Sequence, residues 1–126
     1  MSYSKQDTGL LLVDPYNDFL SEGGKLTARA KPVADRVGTL ANLRAVVAAS
    51  RQAGIRVFYV PHHRARPGDL QSWLHPSPYQ LGAAKAQVSA AGSWGGEWHP
   101  GFQPQDDDVV VQEHWGGGGL ANTDMV

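Results

Sequence analysis

Apolar and polar positions follow two rhythms along this chain. The run "GLLLV", Gly9 to Val13, is apolar without a break and stops at Asp14 and Pro15. Continuous apolarity over so short a run predicts a strand buried on both faces, as in parallel sheets. Val33, Val37, Leu40, Leu43 and Val47 then recur at spacings of three and four, which predicts one helix over 33–53 with a single apolar stripe. Pro32 suits its first turn, Arg51 its last turn and Gly54 its stop. "IRVFYV" comes directly after, β-branched and aromatic, and predicts a second strand ending at Pro61. Strand, helix and strand with short joints make a βαβ unit, whose two strands run parallel.

Between Pro61 and Gln105 the pattern breaks down. Six of the eight prolines lie there, together with Gly92, Gly95, Gly96 and Gly101, and only "YQLGAAKAQVSAA" supports a helix. An insertion this long is either functional or disordered. Trp73, Trp94 and Trp98 argue for order, since an indole can anchor a loop. "VVVQ" after Asp108 predicts a third strand over 108–112, followed by "GGGG" and "LANTDMV". "NTD" behind a glycine-rich turn is a helix-start signal, because these side chains cap free backbone N–H groups. Only Met125 and Val126 remain for that helix, and a third parallel strand needs a covering helix to keep one sheet face dry. The expectation is therefore a single domain over 1–126 whose C-terminal part is missing.

Composition narrows the class. At 126 residues the chain is one domain, and 41% hydrophobic with 18% charged residues suits a folded globular protein. A net charge of −1 gives no global field for nucleic acid or an anionic membrane, and neither is expected as a partner. No apolar run reaches membrane-spanning length, and "MSYSKQDTG" lacks the apolar centre of a signal peptide. A cytoplasmic location is the default. The 126 residues contain no cysteine, so they offer no disulfide, thiolate metal site or thiol nucleophile.

The chemistry-bearing residues gather after the strands. In open parallel sheets, ligands sit outside the carboxyl ends of the strands. Asp14 ends the first strand, and Pro15 turns the chain so that the carboxylate stays at the rim. A plain alternative is an Asx-type turn, in which the side chain only bonds nearby N–H groups. His62 and His63 follow the second strand; adjacent side chains on extended chain point apart, which makes joint chelation awkward, and no metal or cofactor is assigned. "HHRAR" reads as a solvated loop, or else Arg64 or Arg66 holds an anionic group. Glu113 and His114 follow the third strand as an acid–base pair, or simply end it. "GGGGLA" satisfies a dinucleotide-type glycine pattern, but poly-Gly matches almost any such pattern and reads as a flexible turn. "AGSWG" lacks the preceding strand of a nucleophile elbow and reads as a structural loop.

Four segments resemble the isochorismatase-like hydrolases, a family that includes nicotinamidases and carbamoyl-amide amidases. "LLLVDPYNDFLSEGGKL" is similar to the family's opening, with Asp14, Asn17, Asp18, Phe19 and Gly23–Gly24 at the motif positions and Tyr16 where Gln is common. "ASRQAGIRVFYV" resembles its second segment. "GSWGGEWHPGFQPQDDDVVVQEHW" resembles the stretch before the third strand, with Gly92, Ser93 and Glu97 matched, and "GLANTDM" the opening of the next helix. The resemblance implies a doubly wound, three-layer α/β fold with a parallel sheet, its first strand central, and an Asp–Lys–Cys site with Asp14 as general base. This chain departs twice. Gln112, Glu113 and His114 stand in the lysine region, although some relatives share the "EHW" reading, and the cysteine segment is absent. Isochorismatase itself hydrolyses a vinyl ether without that cysteine.

The expectation is thus an isochorismatase-like hydrolase of a small amide-type (C–N) or related substrate, without its nucleophile-bearing part and inactive alone. Asp14, Glu113 and His114 are the candidate catalytic residues. Asn17, Phe19, His62, Arg64 and Trp94 are the candidates for substrate contact. A homo-oligomer is expected. The alternative is a non-catalytic α/β module that binds a partner or its own copy.

Overall fold

The computed structural model describes residues 3–120 and 123–125. Strand β1, Gly9–Val13, leads through a one-turn helix α1, Asn17–Leu20, to helices α2, Thr27–Val37, and α3, Thr39–Gln52. Strand β2, Arg56–Val60, follows, then helix α4, Pro78–Ala86, and a short strand β3, Val109–Val110. The sheet order is β1-β2-β3, parallel throughout, with Leu11 opposite Phe58 and Phe58 opposite Val109. The expected parallel pair and crossover are therefore present.

The crossover is two helices rather than the one expected over 33–53. Gly38 adopts a left-handed φ of 64°, which ends α2 and starts α3 at a bend. Pro32 lies inside α2, not in a first turn, because the helix begins five residues earlier. Its missing N–H removes one helical bond, tolerable on a helix that buries none of its residues. Val33 and Val37 are accordingly exposed, and the apolar stripe begins only at Leu40. Leu40, Leu43 and Val47 of α3 pack on a core of Leu12, Val57, Tyr59 and Phe102.

Helix α3 covers only one face of the sheet. Leu10, Leu12, Val57 and Tyr59 alternate toward that covered face, while Leu11 and Val13 point the other way and remain 47% and 56% exposed. The expectation that β1 is buried on both faces is thus corrected: among the described residues nothing covers its second face. Among the described residues β1 is an edge strand, as expected of a strand that is central in the family when its further neighbour is not part of the chain. β3 is shorter than the expected 108–112, because only Val109 and Val110 keep regular pairing. Its path stays beside β2 through Val111 N–H to the Tyr59 carbonyl and His114 N–H to the Pro61 carbonyl. The expected helix start at "NTD" falls partly on Asn122, which lies outside the described residues.

The long insertion is ordered, but not by all three tryptophans. Trp98 stacks on Tyr16 at 4.9 Å and meets Tyr59 edge-on at 5.3 Å, and Phe102 enters the core. Trp94 is about half exposed, and Trp73 packs on Trp115 outside the core rather than in it. The second anchor is Asp18, a buried carboxylate that the apolar pattern gave no reason to bury. It accepts from the backbone N–H of Lys25 at 3.0 Å and of Ser89 at 2.7 Å, tying the α1 turn to the end of α4. Helix α4 itself starts in a capping box, Ser77 with Gln80. Gly95 passes so close to Asp18 that a Cβ there would collide with the carboxylate. Gly95→Ala is therefore expected to destabilise the fold by about 1–3 kcal/mol through overpacking. Gly92→Ala tests only the strain of its left-handed backbone, since a Cβ there meets nothing. Denaturant unfolding checks the pair: a Gly95→Ala variant as stable as the parent would remove Asp18 as an anchor.

Candidate active site at the carboxyl rim of the sheet

Parallel strands bring their carboxyl ends to one side, and three segments meet there. Asp14 leaves β1, His62 to Arg64 leave β2, and Glu113 to Trp115 follow β3. Asp14 N–H still donates to the Val60 carbonyl, and His62 pairs with His114 as an isolated parallel bridge. His63 N–H reaches the His114 carbonyl at 2.8 Å. Backbone pairing therefore continues past the strands and fixes the spacing of the rim.

Asp14 has a left-handed φ of 53°. Such a conformation costs a non-glycine residue about 1–3 kcal/mol, although Asp and Asn bear it better than most. It turns the chain into Pro15 and carries the carboxylate to His114. His114 Nε2 lies 3.0 Å from Asp14 Oδ1; the histidine side chain is 3% exposed and the aspartate 21%. The side chain thus meets an imidazole across the sheet instead of closing an Asx turn. With Asp14 ionised, His114 Nε2 carries the proton and donates it. His114 Nδ1 is then a lone pair, buried without a partner among the described residues. The His62 ring stands edge-on to it at 5.3 Å. His62 Nδ1 donates to the His63 carbonyl at 2.9 Å, so its Nε2 is a second buried lone pair.

His62 and His63 face different partners, as extended chain dictates. His63 Nε2 is 2.8 Å from Asp69 and its Nδ1 is 3.2 Å from Glu113, with Trp115 stacked on the ring at 3.7 Å. An imidazolium donates to both carboxylates; a neutral ring can serve one. Glu113 also accepts from the Arg64 backbone N–H at 3.0 Å and from its Nη1 at 2.6 Å. Burial pushes the Glu113 carboxyl up, but these Arg64 bonds and charge, with His63, outweigh it and hold the group below the usual carboxylate range. Arg64 is equally committed. Its Nε donates to the Gly96 carbonyl at 2.7 Å, and its guanidinium lies over the rings of Tyr16 and Trp98 at 4.6 and 4.9 Å. Tyr16 donates to the His62 carbonyl, and burial raises its hydroxyl far above the usual value despite the neighbouring Arg64.

The other candidates are arranged differently. Asn17 is buried, with Nδ2 on the Trp94 carbonyl at 2.8 Å and Oδ1 accepting from Ser21, so its side chain braces the loop. Trp94 gives the site that carbonyl, while its indole is 51% exposed. Phe19 tilts against Tyr16 and borders a separate cleft between α1, α2 and α3. Three contributors carried no strong sequence signal: Tyr16, Trp98 and Asp69. Tyr16 stood only as a departure from the family motif. His99 is also buried, 2.6 Å from Ser21 Oγ and 3.2 Å from Arg44, and burial with that cation lowers its basicity. It braces the loop below the rim. Among the described residues no cluster of three or more His, Asp or Glu side chains is set to hold a metal.

A parallel sheet with an aspartate–histidine pair at its carboxyl rim places the chain in the α/β class. The Isochorismatase domain profile matches residues 8–126, and the chain belongs to that family. It is similar to the ureidoacrylate amidohydrolases RutB of Pantoea ananatis, 26% identical over 88% of this chain and 48% of the relative, and of Variovorax paradoxus, 27% identical over 83% and 46%. A cysteine hydrolase from Pseudomonas syringae pv. phaseolicola shares the fold, with a TM-score of 0.66, 23% identity, and coverage of 97% of this chain and 53% of that one. N-carbamoylsarcosine amidase from Thermoplasma acidophilum gives 0.61 and 25%, over 93% and 57%. The chain spans about half the length of the curated relatives it matches.

The rim predicts an acid-sensitive fold. The folded pKa of Glu113, like that of Asp69, lies below its unfolded value. Their stabilisation is therefore fully present above about pH 4.3, and is lost as pH falls through the lower folded value. Denaturation midpoints measured from pH 7 to pH 3 should fall at the acid end, and Glu113→Gln should flatten that fall. An unchanged acid slope in the variant would count against the Arg64–Glu113–His63 network.

Proposed function

We propose that this chain carries the general base of a hydrolase acting on a small amide-type (C–N) substrate. The observation that carries the reading is the Asp14 carboxylate held at the rim by His114 at 3.0 Å, in a strained backbone and with access to solvent. Its support comes from membership of the Isochorismatase domain family and from relatives whose names denote amidohydrolase or amidase chemistry. Asp14 accepts the proton of the attacking nucleophile. In the cysteine hydrolases that this chain resembles, the nucleophile is a thiol, whose sulfur attacks the amide carbon as the amine leaves with a proton. His114 holds the carboxylate in position. Glu113, saturated by Arg64 and His63, acts as a fixed anion that locks the rim and moves no proton. His62 lies beside the pair, with its Nε2 buried and without a partner among the described residues.

The test has two arms. Residues 1–126 contain no thiol, so purified 1–126 should not turn over a panel of small amides and ureido compounds. Turnover by it, abolished by Asp14→Ala, would overturn the thiol requirement. In a longer chain that supplies the cysteine segment, Asp14→Ala should lower kcat/KM by about 10²–10⁴-fold, and Asp35→Ala should not. Full activity of the Asp14→Ala enzyme would refute the base assignment.

A second reading, a module that binds its own copy without catalysis, is favoured by the uncovered face of β1. Among the described residues, Leu11 and Val13 lie on an edge strand whose outer N–H and C=O groups have no strand partner, a template for association. Light scattering of 1–126 at micromolar concentration should report an oligomer, and Leu11→Lys with Val13→Lys should reduce it. A parent chain that is monomeric and unfolds cooperatively would contradict this.

A further inference from the structure

A cleft of about 340 Å³ opens beside the rim, one imidazole removed from the Asp14–His114 pair. His62, His63 and Trp115 form one wall; α4 and its C-terminal turn form the other, with Tyr79, Ala84 and Val88. Its volume is in the range of small-molecule sites, and more than twice the roughly 150 Å³ apolar cavity that suffices for benzene.

The hydrogen bonding of the lining decides what the cleft can accept. Asp69 takes the backbone N–H of Arg66 at 2.6 Å and His63 Nε2 at 2.8 Å. His63 spends its other nitrogen on Glu113. Gln80 Oε1 accepts from the Ser77 N–H, and Gln87 Nε2 donates to the Ala84 carbonyl. These particular groups are spent within the protein, whereas His62 Nε2 stays buried without a partner among the described residues. The surfaces left over are the alanine and valine side chains of the α4 segment, Leu70, the Tyr79 ring and the Trp115 edge. Among the described residues Arg66 is the one arginine or lysine on the lining; it is exposed and has Asp69 three residues away as a compensating charge. A bound carboxylate would have to share that cation and meet Asp69. A hydrocarbon group needs no charged partner.

We propose that this cleft is a specificity pocket for an uncharged alkyl or aryl substituent of the substrate, up to the size of an aromatic ring. The proposal rests on the amide-hydrolase reading for the polar end of the ligand. The pocket itself is independent of it. The shared histidine pair sets the geometry: the substituent fills the α4 side of His62, and the amide carbon lies on the Asp14 side. The ligand class follows from the mostly apolar lining, and it differs from the acidic compounds named for the matched relatives, ureidoacrylate and N-carbamoylsarcosine.

Tryptophan fluorescence of 1–126 reads binding directly, because Trp115 lines the cleft and Trp73 packs on it at 5.2 Å. Four probes share one amide head: acetamide, hexanamide, benzamide and succinamate. Benzamide and hexanamide should give saturable changes at least tenfold tighter than acetamide or succinamate. Ala84→Leu, which fills the cleft, should weaken benzamide at least tenfold, while Arg66→Gln should leave it unchanged and show that substitution in the lining does not act by unfolding. Should benzamide saturate and Ala84→Leu weaken it while the base assignment fails in the kinetic test, the pocket stands and the hydrolase reading falls. Succinamate binding as tightly as benzamide, and losing that affinity in Arg66→Gln, would overturn the proposal in favour of an anion site. Benzamide without saturation, or saturating equally in Ala84→Leu, would overturn it outright.

Discussion

The register between Gly9–Val13 and Arg56–Val60 decides which side chains share the rim. Val13 lies opposite Val60, so Asp14 and Pro61 leave the sheet at the same level. β3 is held by the same strand, through Phe58 and Tyr59 and then through Pro61 and His63. A slip of one residue would send every alternate side chain to the opposite face. It would bury Leu11 in place of Leu12 and carry Asp14 away from His114. The buried set of Leu12, Val57 and Tyr59 against Val47 opposes that slip, so hydrophobic packing on one face fixes the chemistry at the end.

A second consequence concerns the charges. Where the resemblance implies a lysine, this chain has Gln112 followed by Glu113 and His114. The cation of the rim is Arg64, delivered by the neighbouring strand and sandwiched against Tyr16 and Trp98. Glu113 fixes that cation from the third segment. The cation of the rim thus follows β2 and its paired anion follows β3, while Asp14 follows β1. This arrangement makes Tyr16 a structural residue: its ring faces the guanidinium and its hydroxyl holds the His62 carbonyl.

Much of this was legible in the residues. The parallel pair, the crossover and the gathering of Asp14, His62 and His114 at one rim follow from apolar runs ended by Asp and Pro, since parallel strands share a carboxyl end. The crossover break was not read correctly, because the spacing of Val33 and Val37 continued the stripe of α3 while Gly38 turned the axis between them. Burial of β1 on both faces was overestimated for a related reason: an unbroken apolar run states what a strand could bury, and only a covering layer buries it. Asn17, Phe19 and Trp94 stood in the motif, yet the tertiary structure spends Asn17 on a loop carbonyl, turns Phe19 to another cleft and leaves the Trp94 indole outside. Asp18 and Asp69 could not be ranked from sequence, since their importance comes from backbone N–H groups brought from distant or folded-back segments.

The central claim is that Asp14 and His114, separated by a hundred residues, act as one unit at the rim. A double-mutant cycle measures this most directly, with Asp14→Asn, His114→Gln and the double variant compared by denaturant unfolding. Residues in contact within one hydrogen-bonded network couple by about 0.5–3 kcal/mol, whereas independent sites add to within about 0.3–0.5 kcal/mol. The account predicts a coupling in the first range. Strict additivity of the two substitutions would contradict it.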